Sequence, residues 1–120
     1  MDQRAQVGRT GEKHARRFLR HQKYRIVTRN YRCPLGEIDL IALDGPVVVF
    51  VEVKTRTDRE HGDPQDTVTA GKQRRIMRAA EFFLRQTGSE GRACRFDVVA
   101  VTLKRDAAAD IEHLPDAFRP

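Results

Sequence analysis

Five apolar residues in unbroken succession, Val47-Val48-Val49-Phe50-Val51, follow the turn signal Asp44-Gly45-Pro46. β-Branched and aromatic residues that do not alternate with polar ones specify a strand covered on both faces. Such a strand needs one layer above it and one below, so the run points to an α/β architecture with Val47–Val51 as its central strand. The other periodicities supply the layers. From about Arg4 to Gln22, the residues Ala5, Gly8, Gly11, Glu12, Ala15, Phe18 and Leu19 recur at three-and-four spacing, a helix whose small inner residues would let its backbone lie close to a sheet. Lys72 to Gln86 returns to that period through Ile76, Ala79, Ala80, Phe83 and Leu84. Tyr24 to Tyr31 and Glu37 to Leu43 read as a first hairpin around the turn Cys33-Pro34-Leu35-Gly36, and Arg95 to Leu103 as a last core strand. The expected order is α-β-β-β-α-β, with a core over about residues 4–104. Residues 105–120 are weakly patterned and read as a short edge element or tail. The polar stretch from Thr55 to Gly71 reads as a long loop, of a length that in a small domain is usually functional or disordered.

A chain of 120 residues fits one hydrophobic core, so residues 1–120 are expected to form a single domain. No run approaches the roughly 18 apolar residues of a membrane helix, and Met1-Asp2-Gln3-Arg4 lacks the apolar stretch of a signal peptide; a cytoplasmic protein without membrane contact is expected. Cys33 and Cys94 stand alone, with no disulfide framework or zinc-ligand spacing. His14, His21, His61 and His113 likewise lack ligand spacing and read as surface residues. No phosphate-binding loop, dinucleotide fingerprint or serine-hydrolase elbow occurs, which disfavours nucleotide hydrolysis and serine chemistry.

The formal charge of +6 is unevenly placed: residues 1–35 carry a net +8, residues 36–70 a net −5 and residues 71–91 a net +3. Basic flanks attract a polyanion, but carboxylates at the centre would repel it unless a cation sits among them. The carboxylates recur at strand spacing. In Gly36-Glu37-Ile38-Asp39-Leu40, strict alternation would put Glu37 and Asp39 on one face and Ile38 and Leu40 on the other. In Phe50-Val51-Glu52-Val53-Lys54, Glu52 and Lys54 leave the strand expected to be most buried. Charges there lose hydration worth several kcal/mol each unless paired or metal-bound. If Asp39 lies across from Glu52, a hard divalent cation would remove the repulsion left after Lys54 is counted. The competing reading is a strand-edge ion pair without ligand, and for Glu12 a helix residue pointing past the core to solvent.

Glu37-Ile38-Asp39-Leu40-Ile41, a turn, and Val49-Phe50-Val51-Glu52-Val53-Lys54 resemble the D-x(n)-(D/E)-x-K signature of the PD-(D/E)xK nuclease superfamily, on Asp39, Glu52 and Lys54. Ile38 stands where the superfamily's name has proline. Gly11-Glu12, Arg29-Asn30-Tyr31, Gly36 to Leu40, Phe50 to Arg56, Lys72-Gln73 and Arg95 to Val98 look more closely like the YraN-like family of bacterial proteins, over about residues 8–103. The resemblance implies a restriction-endonuclease-like fold with a mixed central sheet flanked by helices, related to archaeal Holliday-junction resolvases. It also implies Mg²⁺- or Mn²⁺-dependent hydrolysis of phosphodiester bonds in DNA, branched or junction DNA included. In that picture Asp39, Glu52 and the Val53 carbonyl hold the cation, Glu12 or Glu37 adds to its shell, and Lys54 orients water or phosphate. Arg56, Lys72, Gln73, Arg74, Arg75 and Arg78 would contact backbone phosphates. Resolving a junction takes two sites and hence a homodimer. Two other readings keep the same residues: a nucleic-acid binding module that does not cut, and a domain whose basic flanks meet an acidic protein.

Overall fold

The computed structural model describes residues 3–57 and 68–120. Helix α1 (Gln3–His21) precedes strands β1 (Arg25–Cys33), β2 (Gly36–Asp44) and β3 (Val47–Thr57); helix α2 (Ala70–Gln86) follows, then β4 (Cys94–Leu103) and β5 (Asp110–Phe118). The five strands form one sheet in chain order. β1, β2 and β3 are antiparallel neighbours, β3 and β4 run parallel across the α2 connection, and β4 and β5 are antiparallel. The sheet is therefore mixed, and the α-β-β-β-α-β order expected from sequence is followed by one further strand, β5.

The unbroken apolar run is indeed the central strand, and it serves both layers. Val48 and Phe50 pack with Ile76, Ala79 and Ala80 under α2, whereas Val49, Val51 and Val53 pack with Ala15 and Leu19 under α1. Gly11 lets α1 settle, because a Cβ there would overlap the Thr55 side chain. Gly8 does not share that role: a Cβ at Gly8 would meet nothing within 4 Å, so only Gly11, Ala15 and Leu19 form the small buried stripe.

Of the two readings of residues 105–120, the edge element holds and the tail does not, since Asp110–Phe118 pair with β4 from Thr102↔Asp110 to Phe96↔Phe118. Nor does the loop begin at Thr55: β-branched Thr55 and Thr57 prolong β3, paired with β4 as far as Thr57↔Leu103. The rest of the expected loop, residues 58–67, lies outside the described residues. No helix among the described residues is long and apolar enough to cross a membrane.

Candidate catalytic cleft

β2 and β3 pair regularly from Asp44↔Val47 to Leu40↔Val51, and there the regular pairing ends. At the next position the Asp39 side chain takes over from the backbone: its Oδ2 accepts a hydrogen bond from the Val53 N–H at 2.8 Å. The strand steps at this point. Ile38 packs under α2 while Leu40 packs under α1, so the strict alternation expected over Glu37–Leu40 fails. Glu37 goes with it. It is exposed, paired with Arg32 across the hairpin at 3.4 Å, and faces a different hollow from the one Asp39 lines.

Asp39, Glu52, Val53, Lys54, Lys72 and Glu12 all line one cleft of about 700 Å³, walled on one side by the first turns of α1. Glu52 is 5% exposed and salt-bridged through Oε1 to Lys72, with the Lys54 ammonium 4.0 Å away. Lys72 is brought there by the start of α2, where the Thr69 side chain caps the helix by accepting from the Lys72 N–H at 3.2 Å.

The electrostatics follow from crowding in a half-dry site. Burial, and then the neighbouring Glu52 carboxylate, push Asp39 up to about 7, against the lowering effect of the Val53 N–H. Burial also raises Glu12; Arg16 and Arg29 pull it down, and Glu52 and Glu37 push it up. Burial and the adjacent Lys72 lower Lys54, with Glu52 and Asp39 opposing. Burial works against the charge on Lys72, but the Glu52 carboxylate outweighs it and the net shift is upward.

Two observations bear on whether a divalent cation fits. Glu12 Oε1 is buried without a hydrogen-bond partner, and burial together with the Glu52 carboxylate raises Asp39 to about 7. Both describe surplus acceptor oxygen of the kind a hard cation takes up. Among the described residues no three His, Cys, Asp or Glu side chains form a ready-made cage. The fit is thus to two carboxylates, Asp39 and Glu52, with other positions left to backbone, water or substrate.

The remaining sequence-derived residues divide. Arg74, Arg75 and Arg78 are exposed on α2, open to a polyanion. Gln73 instead donates to the Val68 carbonyl at 3.0 Å, pinning the start of α2. Arg56 donates through Nε to Thr102 Oγ1 at 3.3 Å, toward β4. Sequence reasoning missed the bond between Lys72 and Glu52, because nothing local links residues 20 apart.

It also missed a second buried carboxylate. Asp97 is fully buried; it accepts from Arg95 Nε at 3.0 Å and from the Asp116 N–H at 2.9 Å, and its Oδ2 lies 2.7 Å from His113 Nε2. His113, expected at the surface, lies half-buried with its ring edge-on to Phe18 and Tyr24. The signal was present in Phe96-Asp97-Val98, a lone acid inside an apolar strand, as at Glu52.

Residues 11–101 match the uncharacterised protein family UPF0102. A UPF0102 protein of Moorella thermoacetica is 47% identical over 116 residues, 96% of this chain and 97% of its own length. One from Symbiobacterium thermophilum is 51% identical over 112 residues, 93% of this chain and 95% of its own. The chain therefore belongs to the uncharacterised protein family UPF0102, the YraN-like family whose motifs run from Gly11 to Val98.

Proposed function

We propose that this chain is a divalent-cation-dependent nuclease that hydrolyses phosphodiester bonds in DNA, with branched or junction DNA as the preferred form. The observation that carries this reading is the meeting of Asp39 and Glu52 in one cleft at the end of the regular β2–β3 pairing, where burial and then the Glu52 carboxylate lift Asp39 to about 7 beside Lys54. A structural pair would be arranged to cancel its charge, whereas this one keeps a surplus that favours a cation. Asp39, Glu52 and the Val53 carbonyl would hold Mg²⁺ or Mn²⁺, with Glu12 reaching the shell through water. Bound there, such an ion would supply positive charge to the phosphoryl oxygens and acidify an attacking water.

The chain's own groups do the rest. Burial disfavours the charge on Lys54, so its ammonium gains most when it meets a phosphate oxygen or holds a water by hydrogen bond. Arg74, Arg75 and Arg78, along one exposed side of α2, would neutralise phosphates leading into the cleft. Paired cuts at a junction would require two copies of the chain.

Cleavage of labelled flapped, junction and duplex DNA with Mg²⁺ or Mn²⁺ tests the proposal. Asp39→Asn and Glu52→Gln should each slow it by about 10²-fold or more, in line with losing a group that acts on the transition state. Parental rates in either variant would refute it. A second reading, a binding module that does not cut, is favoured by one observation: Lys72 already neutralises Glu52. It requires that divalent cations neither raise Tm nor support turnover.

A further inference from the structure

Beside the cleft lies a second hollow, of about 500 Å³, between the β1–β2 turn and the start of α2. We propose that this hollow is a nucleotide subsite, which takes an unpaired nucleotide adjoining the phosphate held in the cleft and so selects nucleic acid with a single-stranded arm. The inference rests on the nuclease reading for what the cleft holds, but the subsite can be measured without cleavage.

Its chemistry is mixed in the way a nucleotide is mixed. Cys33, Leu35 and Ile76 give it apolar surface, and Arg32, Lys72 and Arg75 give it cations. Leu35 is 47% exposed at the turn, one of two large apolar side chains so exposed among the described residues. Arg75 has no ion-pair partner among those residues, and the Arg32–Glu37 pair is exposed on both sides and worth little. The wall is built by close approach. Gly36 adopts φ +157°, and a Cβ there would meet the Arg75 carbonyl oxygen at 3.0 Å, so the turn presses directly on α2.

Lys72 lines both hollows, which makes them neighbours across one side chain. A phosphate shared between them would compete with Glu52 for the Lys72 ammonium. Drawing Lys72 away would free the Glu52 carboxylate for a cation, so nucleic acid and cation should each tighten the other's binding by the same factor. Among the described residues no aromatic ring lines the hollow, so a base would be held by apolar contact and by stacking on guanidinium planes, with weak sequence preference. A base inside a duplex is stacked and cannot enter; an unpaired one can.

The experiment uses the full chain carrying Asp39→Asn, so that binding is read without cutting. The probe is a flapped DNA with 2-aminopurine at its first unpaired position, compared with a blunt duplex of equal length. The flapped probe should bind about tenfold tighter, with a change in 2-aminopurine emission on binding. Adding Leu35→Ser or Arg75→Gln, both at exposed positions, should bring the preference below about twofold. Equal binding of the two probes, or a preference that both substitutions leave intact, would overturn the subsite. If the preference depends on Leu35 and Arg75 while the parent chain never cuts with Mg²⁺ or Mn²⁺, the nuclease reading falls and the subsite stands.

Discussion

The sheet buries acid in two places and treats it in opposite ways. At Asp97, Arg95, His113 and the Asp116 backbone converge on one carboxylate, and Arg95 reaches on to Asp44 at 3.0 Å and to the Tyr24 hydroxyl. Burial acts to raise Asp97, but those partners overcome it and hold its carboxyl below the usual range. At Asp39 one backbone N–H is set against burial and a second carboxylate, and the result is a value near 7. The first cluster ties β5 to β4 and to the residues after α1. In the second, Lys72 and Lys54 answer Glu52 while only a backbone N–H answers Asp39, a charge balance of the kind that a binding site for cation and phosphate would have.

The largest expected effect breaks the first cluster. Asp97→Ala would leave the Arg95 guanidinium without its buried partner and the Asp116 N–H without an acceptor. Removing one side of a buried ion pair typically costs about 3–5 kcal/mol. Urea unfolding should show a loss of that order, and a loss below about 1 kcal/mol would mean that water replaces the carboxylate.

Both clusters carried the same mark in the sequence, an acid inside a covered strand, yet only one was read from it. Glu52 stood out because Lys54 and Asp39 lay at recognisable strand spacings. The partners of Asp97 lie on β5, and β5 hides its period. Its register against β4 shifts between Phe96 and Val98, and Asp116 takes φ +52°, so inward and outward residues stop alternating near Pro115. A bulged edge strand with four charged residues or histidines is thus hard to tell from a tail. The central strand and the helices were legible because each follows from a local period, whereas the meeting of Asp39 with Glu52 entered only as a condition that the resemblance made specific. The Lys72–Glu52 bond, the Leu35–Arg75 hollow and the step at Asp39 depend on how distant elements dock, which no period records.

Next in size comes the opposite experiment on the second cluster. Asp39→Asn keeps an acceptor for the Val53 N–H and removes the repulsion with Glu52, so without divalent cation at pH 8 it should stabilise the chain by roughly 1–3 kcal/mol. The sign follows from the direction of the shift. Between about 3.8 and 7 the folded Asp39 keeps a proton that the unfolded chain has released, so stability falls as pH rises through that window and levels off above it. Asp97 slopes the other way: its contribution is full above the unfolded carboxyl value and is lost as pH falls through the lowered folded one. Thermal scans in EDTA from pH 5 to 8 should show the parent losing Tm relative to Asp39→Asn. Parallel profiles would remove the repulsion between Asp39 and Glu52 from the account.

The smallest effect separates charge from packing inside the compensated cluster. His113 touches Asp97 through Nε2 and presents its ring to the edges or faces of Phe18 and Tyr24. His113→Gln can still donate to Asp97 through its amide, so the hydrogen bond survives while the ring contacts go. Those contacts are worth about 0.5–1.5 kcal/mol in comparable aromatic pairs, and a loss in that range on urea unfolding is expected. Arg95 would still hold the carboxylate ionised, so the acid slope due to Asp97 should persist in the variant. A collapse of that slope would mean that the imidazole, and not the guanidinium, sets the charge of Asp97, and the contrast with Asp39 would then rest on a single histidine.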